Sequence, residues 1–233
     1  MTANAEFASR GFVLLRGLVS PELRSFAKDC MDLAYRAGGM RRCADPGACG
    51  QHEQYAPLFT EALLERLRPA VTGNTGHELS PTYSFWRFYE RGASLIRHID
   101  RQSCEVSLSI NIAVEPTEFV WPLWVQDLQG NEVSLPLLPG DGALYRGCEL
   151  PHWRTTFEGQ RQYQMFLHYV RADGPNAHFK LDGRRCLAVA YAERAPVVAA
   201  GYGLQTVQCV QVSPVSALAA GDRRSRGTNA EER

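Results

Sequence analysis

QRQYQMFLHYV, residues 160–170, is the most strand-like stretch of the chain. Aromatic and large apolar residues dominate it. Strand alternation sorts it into two sets, Arg161, Tyr163, Met165 and Leu167 against Gln160, Gln162 and Gln164. Upstream, strand character runs through TYSFWRFYE (82–90), VSLSINIAV (106–114), VWPLWVQD (120–127) and EVSLPLL (132–138). QGN at 129–131 separates the last two as a hairpin turn, and LPGDGALYRG (138–147) places another turn before a short strand. Several short strands with turn punctuation, after leading helices, predict a mainly β chain of the α+β class: a β-sandwich or open barrel with helices on one face. The jelly-roll version, a cupin-like double-stranded β-helix, suits a metal site between two sheets.

Before Tyr83 the period is different. FASRGFVLLRGLV (7–19) contains a short apolar run, FVLL, beside Gly11 and Gly17, which reads as an opening strand. Ser20 then supplies an N-cap and Pro21 a first helical residue, after which Leu23, Phe26, Ala27, Cys30, Met31, Ala34 and Tyr35 recur at helical spacing. Gly38-Gly39 ends that helix. Residues 40–56 are loop-like, PLFTEALLERLRPAV (57–71) carries a second helical pattern, and the turn-rich TGNTGHELSP (72–81) ends it. Beyond Val170, RADGPNAHFKLDGRR (171–185) reads as a loop, and the apolar pieces of 186–217 have no assignable pairing. GDRRSRGTNAEER (221–233) is polar and without an apolar anchor. The expected organisation is one domain over 1–217, with helical support at 20–72, a jelly-roll core at about 83–170 and a disordered tail at 218–233.

Composition bounds the function classes. The 233 residues carry 25 basic and 25 acidic side chains, a formal net charge of zero, which speaks against a polyanion-binding surface and hence against nucleic acid as a partner. No apolar run approaches the roughly 20 residues of a membrane span, and MTANAEFASRGFVLL has neither charged n-region nor cleavage site. Seven scattered cysteines are expected to be reduced thiols of a cytoplasmic protein. Cys43, Cys49 and His52 have no common zinc-finger spacing and no evident fourth ligand, so a plain loop is the expectation there.

The chemistry concentrates in YERGASLIRHID, Tyr89 to Asp100. On a strand, His98 and Asp100 point the same way and present an imidazole and a carboxylate to one point. His152, 52 residues beyond Asp100 and just after the PGDGALYRG segment, is the candidate third ligand. Two histidines and one carboxylate make the face that holds non-heme Fe(II) and leaves positions open. Arg161 follows His152 by nine residues in a strand, and Tyr89 precedes His98 by nine with Gly92 in a turn between.

In that order and spacing, Tyr89, Gly92, His98, Asp100, His152 and Arg161 resemble the core of the Fe(II)- and 2-oxoglutarate-dependent dioxygenases, most closely the prolyl-4-hydroxylase type. The resemblance covers about ninety residues, Tyr83 to Val170. It implies His98, Asp100 and His152 as iron ligands, 2-oxoglutarate and O2 as co-substrates, and a cation for the distal carboxylate of 2-oxoglutarate. That cation is expected to be Arg161, with Arg154 as the competing candidate. Tyr89 matches a position that hydrogen-bonds 2-oxoglutarate, and Asn111 falls where some members use a tyrosine. Ser107, Ser109 and Asn111 share one strand face, so either a ligand-lined cavity or solvent lies beside them. Because related halogenases lack the carboxylate, Asp100 favours hydroxylation or another C–H oxidation, with release of succinate and CO2. The expected substrate is a small molecule such as an amino acid or specialised metabolite; a prolyl or other protein side chain is the alternative, and a non-catalytic jelly-roll metal-binding domain the reading from another class. Trp124 and Arg146 are the candidates for substrate contact, and His168, opposite Arg161 in parity, is expected in packing or behind the ligands.

Overall fold

The computed structural model describes residues 2–43 and 51–188; Cys49, the apolar pieces beyond 188 and the tail at 218–233 lie outside them. The chain opens not on a strand but on helix α1 (Ala3–Arg10), with Thr2 as N-cap and Gly11 at φ 83° closing it. A side chain at Gly11 would also meet Leu150 at 2.9 Å, so this stop needs glycine twice over. Strand β1 (Phe12–Leu15) follows. Helix α2 (Pro21–Arg36) has the expected start, Ser20 accepting from the Leu23 amide with Pro21 in the first turn. Beyond it lie β2 (Arg41–Arg42) and β3 (Gln51–Tyr55), in a region whose sequence reads as loop. QHEQY has no apolar alternation; it is extended because the edge of a neighbouring strand offers its backbone partners. Helix α3 (Leu58–Thr75) runs four residues past the expected end at Val71 and stops at Gly76, φ 73°.

Eight strands follow: β4 (Leu79–Glu90), β5 (Leu95–His98), β6 (Val106–Glu115), β7 (Leu123–Gln126), β8 (Glu132–Leu135), β9 (Gly142–Tyr145), β10 (His152–Arg154) and β11 (Arg161–Arg171). They build two sheets, β1-β9-β6-β11-β4-β3-β2 and β5-β10-β7-β8, with every pairing antiparallel. The segment expected as loop after β11 contains 3-10 turns at Ala177–Gly183, where buried Asp182 accepts from Tyr55 and Arg101. Among the described residues no helix is long and apolar enough to cross a membrane.

The seven-stranded sheet is buried on both faces, each in its own way. Leu108, Ile110 and Ile112 of β6, Met165, Leu167 and Tyr169 of β11 and Trp86 and Phe88 of β4 pack on Ala27 and Met31 of α2 and Leu63, Leu64 and Val71 of α3. Each such aliphatic side chain contributes about 1.5–3 kcal/mol by leaving water. The other face looks at the four-stranded sheet. Phe12, Ala143 and Tyr145 meet Leu123, Val125 and Leu135 across one end of the gap, while Tyr89, Val114 and Phe166 meet Trp121 and Phe157 across the other. Between those apolar patches the inner face is polar: Ser107, Ser109, Asn111, Gln162, Gln164 and His168 are all buried there. The polar face of β6 therefore lines the gap between the sheets.

Candidate metal centre and inner cavity

His98 ends β5 and His152 begins β10, and the two residues face each other in register. Their ring centroids are 4.3 Å apart. Asp100 lies just past the end of β5, where its amide donates to the Gly147 carbonyl at 2.8 Å. Its Oδ1 is 3.6 Å from His98 Nε2 and 3.5 Å from His152 Nε2, and one ligand atom from each of the three residues falls within 4.8 Å of the others. Each imidazole places Nδ1 against a backbone carbonyl, His98 on Ile96 at 2.8 Å and His152 on Leu150 at 2.9 Å. A carbonyl only accepts, so Nδ1 carries the proton in both rings and both Nε2 lone pairs point to the same place.

The carboxylate is held from behind. Ser107 donates to Asp100 Oδ2 at 3.0 Å, and His168 Nδ1 lies 3.0 Å from the same Ser107 oxygen. Since an ionised carboxylate accepts only, the serine proton goes to Asp100 and His168 Nδ1–H donates to Ser107. Gly147 makes this approach possible, because a Cβ there would lie 2.6 Å from Asp100 Oδ2. Burial raises the pKa of Asp100, but the two histidines outweigh it and hold the carboxyl well below its usual range. His98 is lowered by burial and raised more by Asp100, for a net upward shift. Burial pushes His168 down to about 4, so it is neutral near pH 7.

Deeper between the sheets, Arg154 points inward two residues after His152 and is 2% exposed. Its Nη1 donates to the Trp121 carbonyl at 2.6 Å and its guanidinium lies 4.7 Å from the Trp121 ring. Nη2 has no hydrogen-bond partner, and no carboxylate pairs with Arg154 among the described residues. Burial lowers its pKa, against the partial support of Tyr89 and Tyr145. The Tyr89 hydroxyl, Asn111 Oδ1 and Gln162 Oε1 are likewise buried without a partner among the described residues. Tyr145 joins this region to the triad, its ring 4.8 Å from that of His152. An unsatisfied buried polar group costs about 1–3 kcal/mol, and a charged one more; the donors Arg154 Nη2 and Tyr89 O–H suit an anion, whereas the acceptors Asn111 Oδ1 and Gln162 Oε1 call for a donor.

Three sequence-level candidates lie elsewhere. Arg161 is on the helix-covered face of β11: its guanidinium packs on Tyr35 and Phe88 at 5.4 and 5.2 Å and reaches Glu90 at 3.5 Å. The parity was legible, but the set facing the triad is that of Gln162, Gln164, Phe166 and His168. Trp124 stacks on Trp153 at 6.1 Å on the outer face of the smaller sheet, because its neighbours Leu123 and Val125 take the inward positions. Arg146 turns to α1, with its guanidinium 5.6 Å from the Phe7 ring, and pairs with Glu149. Ser107 and Gly147 carried no individual signal of their role, although a serine-asparagine face on a strand between apolar strands was a hint.

No protein-family model matches the sequence, and no curated protein matches it. Solved structures do match the fold. The epimerase SnoN from nogalamycin biosynthesis, in complex with Fe3+, alpha ketoglutarate and nogalamycin RO, superposes with a TM-score of 0.64 at 12% identity over 84% of this chain and 94% of that one. A Pseudomonas putida prolyl-4-hydroxylase gives 0.58 at 17% identity over 72% and 97%. HygX from Streptomyces hygroscopicus, with nickel, 2-oxoglutarate and hygromycin B bound, gives 0.56 at 12% over 72% and 86%. The chain thus shares the double-stranded β-helix fold of these structures.

Proposed function

We propose that the chain is an Fe(II)- and 2-oxoglutarate-dependent dioxygenase that oxidises an unactivated C–H bond of a small molecule and releases succinate and CO2. The observation that carries this reading is Arg154, a guanidinium buried without a counter-ion among the described residues, in the same gap as the His98–Asp100–His152 triad. A bare metal-binding domain has no use for such a cation, whereas a dicarboxylate joins the two features. One end would ligate the metal; the other would take the free donor of Arg154 and the unpartnered hydroxyl of Tyr89.

The donor set suits Fe(II): two neutral imidazoles and one carboxylate leave positions for a chelating oxoacid and for O2. Bound there, the metal with its oxoacid would supply the activation of O2. The protein's own part is separable from that chemistry. Leu150 and Ile96 fix the histidine tautomers, Ser107 keeps the second Asp100 oxygen occupied, and Arg154 with Tyr89 orients the co-substrate in a sealed interior. Arg154 replaces Arg161 in the role of co-substrate cation.

The test is anaerobic visible absorption of the full chain with Fe(II), before and after 2-oxoglutarate, beside Asp100→Ala. Growth of an iron-to-oxoglutarate charge-transfer band in the wild type and its loss in the variant is the expected result. Metal binding without any such band would return the chain to a non-catalytic metal-binding domain.

A further inference from the structure

Asp100 does not sit on a strand but in the link between β5 and β6, residues 99–105, and a ligand on a link is only as fixed as its tethers. On one side the Gly147 carbonyl accepts from the Asp100 amide and Ser107 donates to the carboxylate. The other side is held from beyond the last strand. Arg101 sets both ends of its guanidinium on Asp182, Nη1 to Oδ1 at 3.0 Å and Nη2 to Oδ2 at 2.9 Å, and lies 4.4 Å from the Tyr83 ring. At the far end of the link, buried Glu105 accepts from the Arg171 amide at 3.1 Å and from Arg171 Nε at 2.5 Å. The end of β11 and the strap that follows it, residues 171–188, thus grip both ends of the link that carries Asp100.

The grip is made on strained backbone. Leu181 and Asp182 have φ of 58° and 55°, the left-handed region that a side chain such as leucine rarely adopts. Their surroundings hold them there. The Tyr55 hydroxyl donates to Asp182 Oδ2 at 2.6 Å, and Arg184 Nε donates to the Leu181 carbonyl at 3.0 Å. Arg184 is itself anchored away from the metal centre, on Glu61 of α3 at 2.9 Å and on the Thr82 carbonyl at 2.9 Å. The strap therefore has two buried ion pairs with different addresses: Arg184–Glu61 fastens it to a helix, and Asp182–Arg101 fastens it to the neighbour of a metal ligand. An inward carboxylate on strained backbone, bound through a two-pronged pair to the residue after Asp100, points to a role in the site.

We infer that Asp182 is a positioning residue for the metal centre: through Arg101 it fixes the link that carries Asp100, so that closure of the strap and binding of the metal favour each other. The inference rests on the triad as a metal centre and not on 2-oxoglutarate. The coupling is reciprocal, because the factor by which the closed strap raises metal affinity is the factor by which bound metal raises closure.

Equilibrium dialysis of the full chain against Fe(II) without O2 reads metal affinity, and hydrogen exchange of the amides at 177–185 reads the strap. Asp182→Asn keeps the size and suits the left-handed backbone, but takes the charge from Arg101. It should lower Fe(II) affinity about tenfold, as for other groups behind a metal ligand, and abolish the slowing of exchange that Fe(II) produces in the wild type. Arg101→Met should match it, with the double variant no worse than either alone, since the two act as one unit. Arg184→Lys is the control for a merely structural strap: it weakens the hold on α3 and should lower the urea midpoint, with Fe(II) affinity within about twofold of the wild type. Unchanged affinity in Asp182→Asn overturns the inference, and so does an equal loss in Arg184→Lys. If Asp182→Asn does not fold, the wild type decides, because exchange at 177–185 that Fe(II) leaves unchanged also overturns it. The two readings fail separately: the loss in Asp182→Asn without any oxoglutarate band in the wild type supports this role and refutes the oxygenase, and a band with unchanged affinity in Asp182→Asn does the reverse. A wild type that binds no Fe(II) refutes both.

Discussion

Arg154 and Arg161 are seven residues apart on consecutive strands, and they end in opposite surroundings. Arg161 lies on the helix-covered side of the larger sheet, partly exposed, against Tyr35 and Phe88 and within reach of Glu90. Arg154 lies between the sheets with one donor on a carbonyl and another without a partner among the described residues. The outer arginine is self-sufficient: surface, ring and acid satisfy it, and such a pair contributes about 0–1 kcal/mol. The inner one is an unfinished interaction among the described residues, a cost that an incoming anion would offset. Incompleteness, rather than the presence of a cation, is what favours Arg154 over Arg161 in the proposed site.

The strongest way to break this contrast is Arg154→Met. Affinity for 2-oxoglutarate, read from the iron charge-transfer band, should fall at least about 100-fold, the scale of losing one partner of a buried charge pair. The same substitution removes an uncompensated buried charge, so urea denaturation of the ligand-free chain should show equal or greater stability, by up to roughly 1–4 kcal/mol. A variant that loses stability and keeps the co-substrate would refute the assignment.

Gly147→Ala comes next. Its new methyl would press on Asp100 Oδ2 and Ser107 Oγ, and Fe(II) affinity by equilibrium dialysis should drop about 10–100-fold, as for other losses behind a metal ligand. Ser107→Ala should move affinity in the same direction and by less, because it deletes the hydrogen bond without displacing the carboxylate.

His168 sharpens the contrast through pH. Its pKa is lowered to about 4 by burial, so below its ordinary value of about 6.5 the unfolded chain binds the proton more readily than the folded one. The stability it protects is complete above about pH 6.5 and declines as pH falls towards 4, by about 2 kcal/mol at pH 5. Denaturant midpoints of wild type and His168→Asn at pH 7.5 and 5 should therefore converge on acidification. Parallel loss in both proteins would remove His168 as the cause.

Arg161→Met is the smallest expected change: less than about threefold in 2-oxoglutarate affinity and under about 1 kcal/mol in stability. A large loss of the charge-transfer band there would reverse the roles of the two arginines.

Some of this was readable from the residues alone. The His98-x-Asp100 pair, the distant His152, the β-rich class of the segment from Tyr83 to Val170 and the N-capped helix at Ser20 and Pro21 each rest on local rules: strand parity, turn residues and caps. Misreadings cluster where local signal is absent. QHEQY of β3 has no alternation and is a strand only because β4 lends it an edge; α1 is short and polar and is fixed by Phe7 entering the core. Thr72 to Thr75 remain helical although Gly73 and Asn74 suggest a turn.

The sequence by itself determined which residues share a face of each strand, because parity is a property of the backbone within one segment. It separated Arg161 from His168 and grouped Ser107, Ser109 and Asn111. Only the tertiary structure decided which face meets helices and which meets the second sheet, because that depends on where α2, α3 and the four-stranded sheet dock. That docking put Arg154 rather than Arg161 in the gap, brought Gly147 up against Asp100, and buried a run of glutamines and serines between the two sheets.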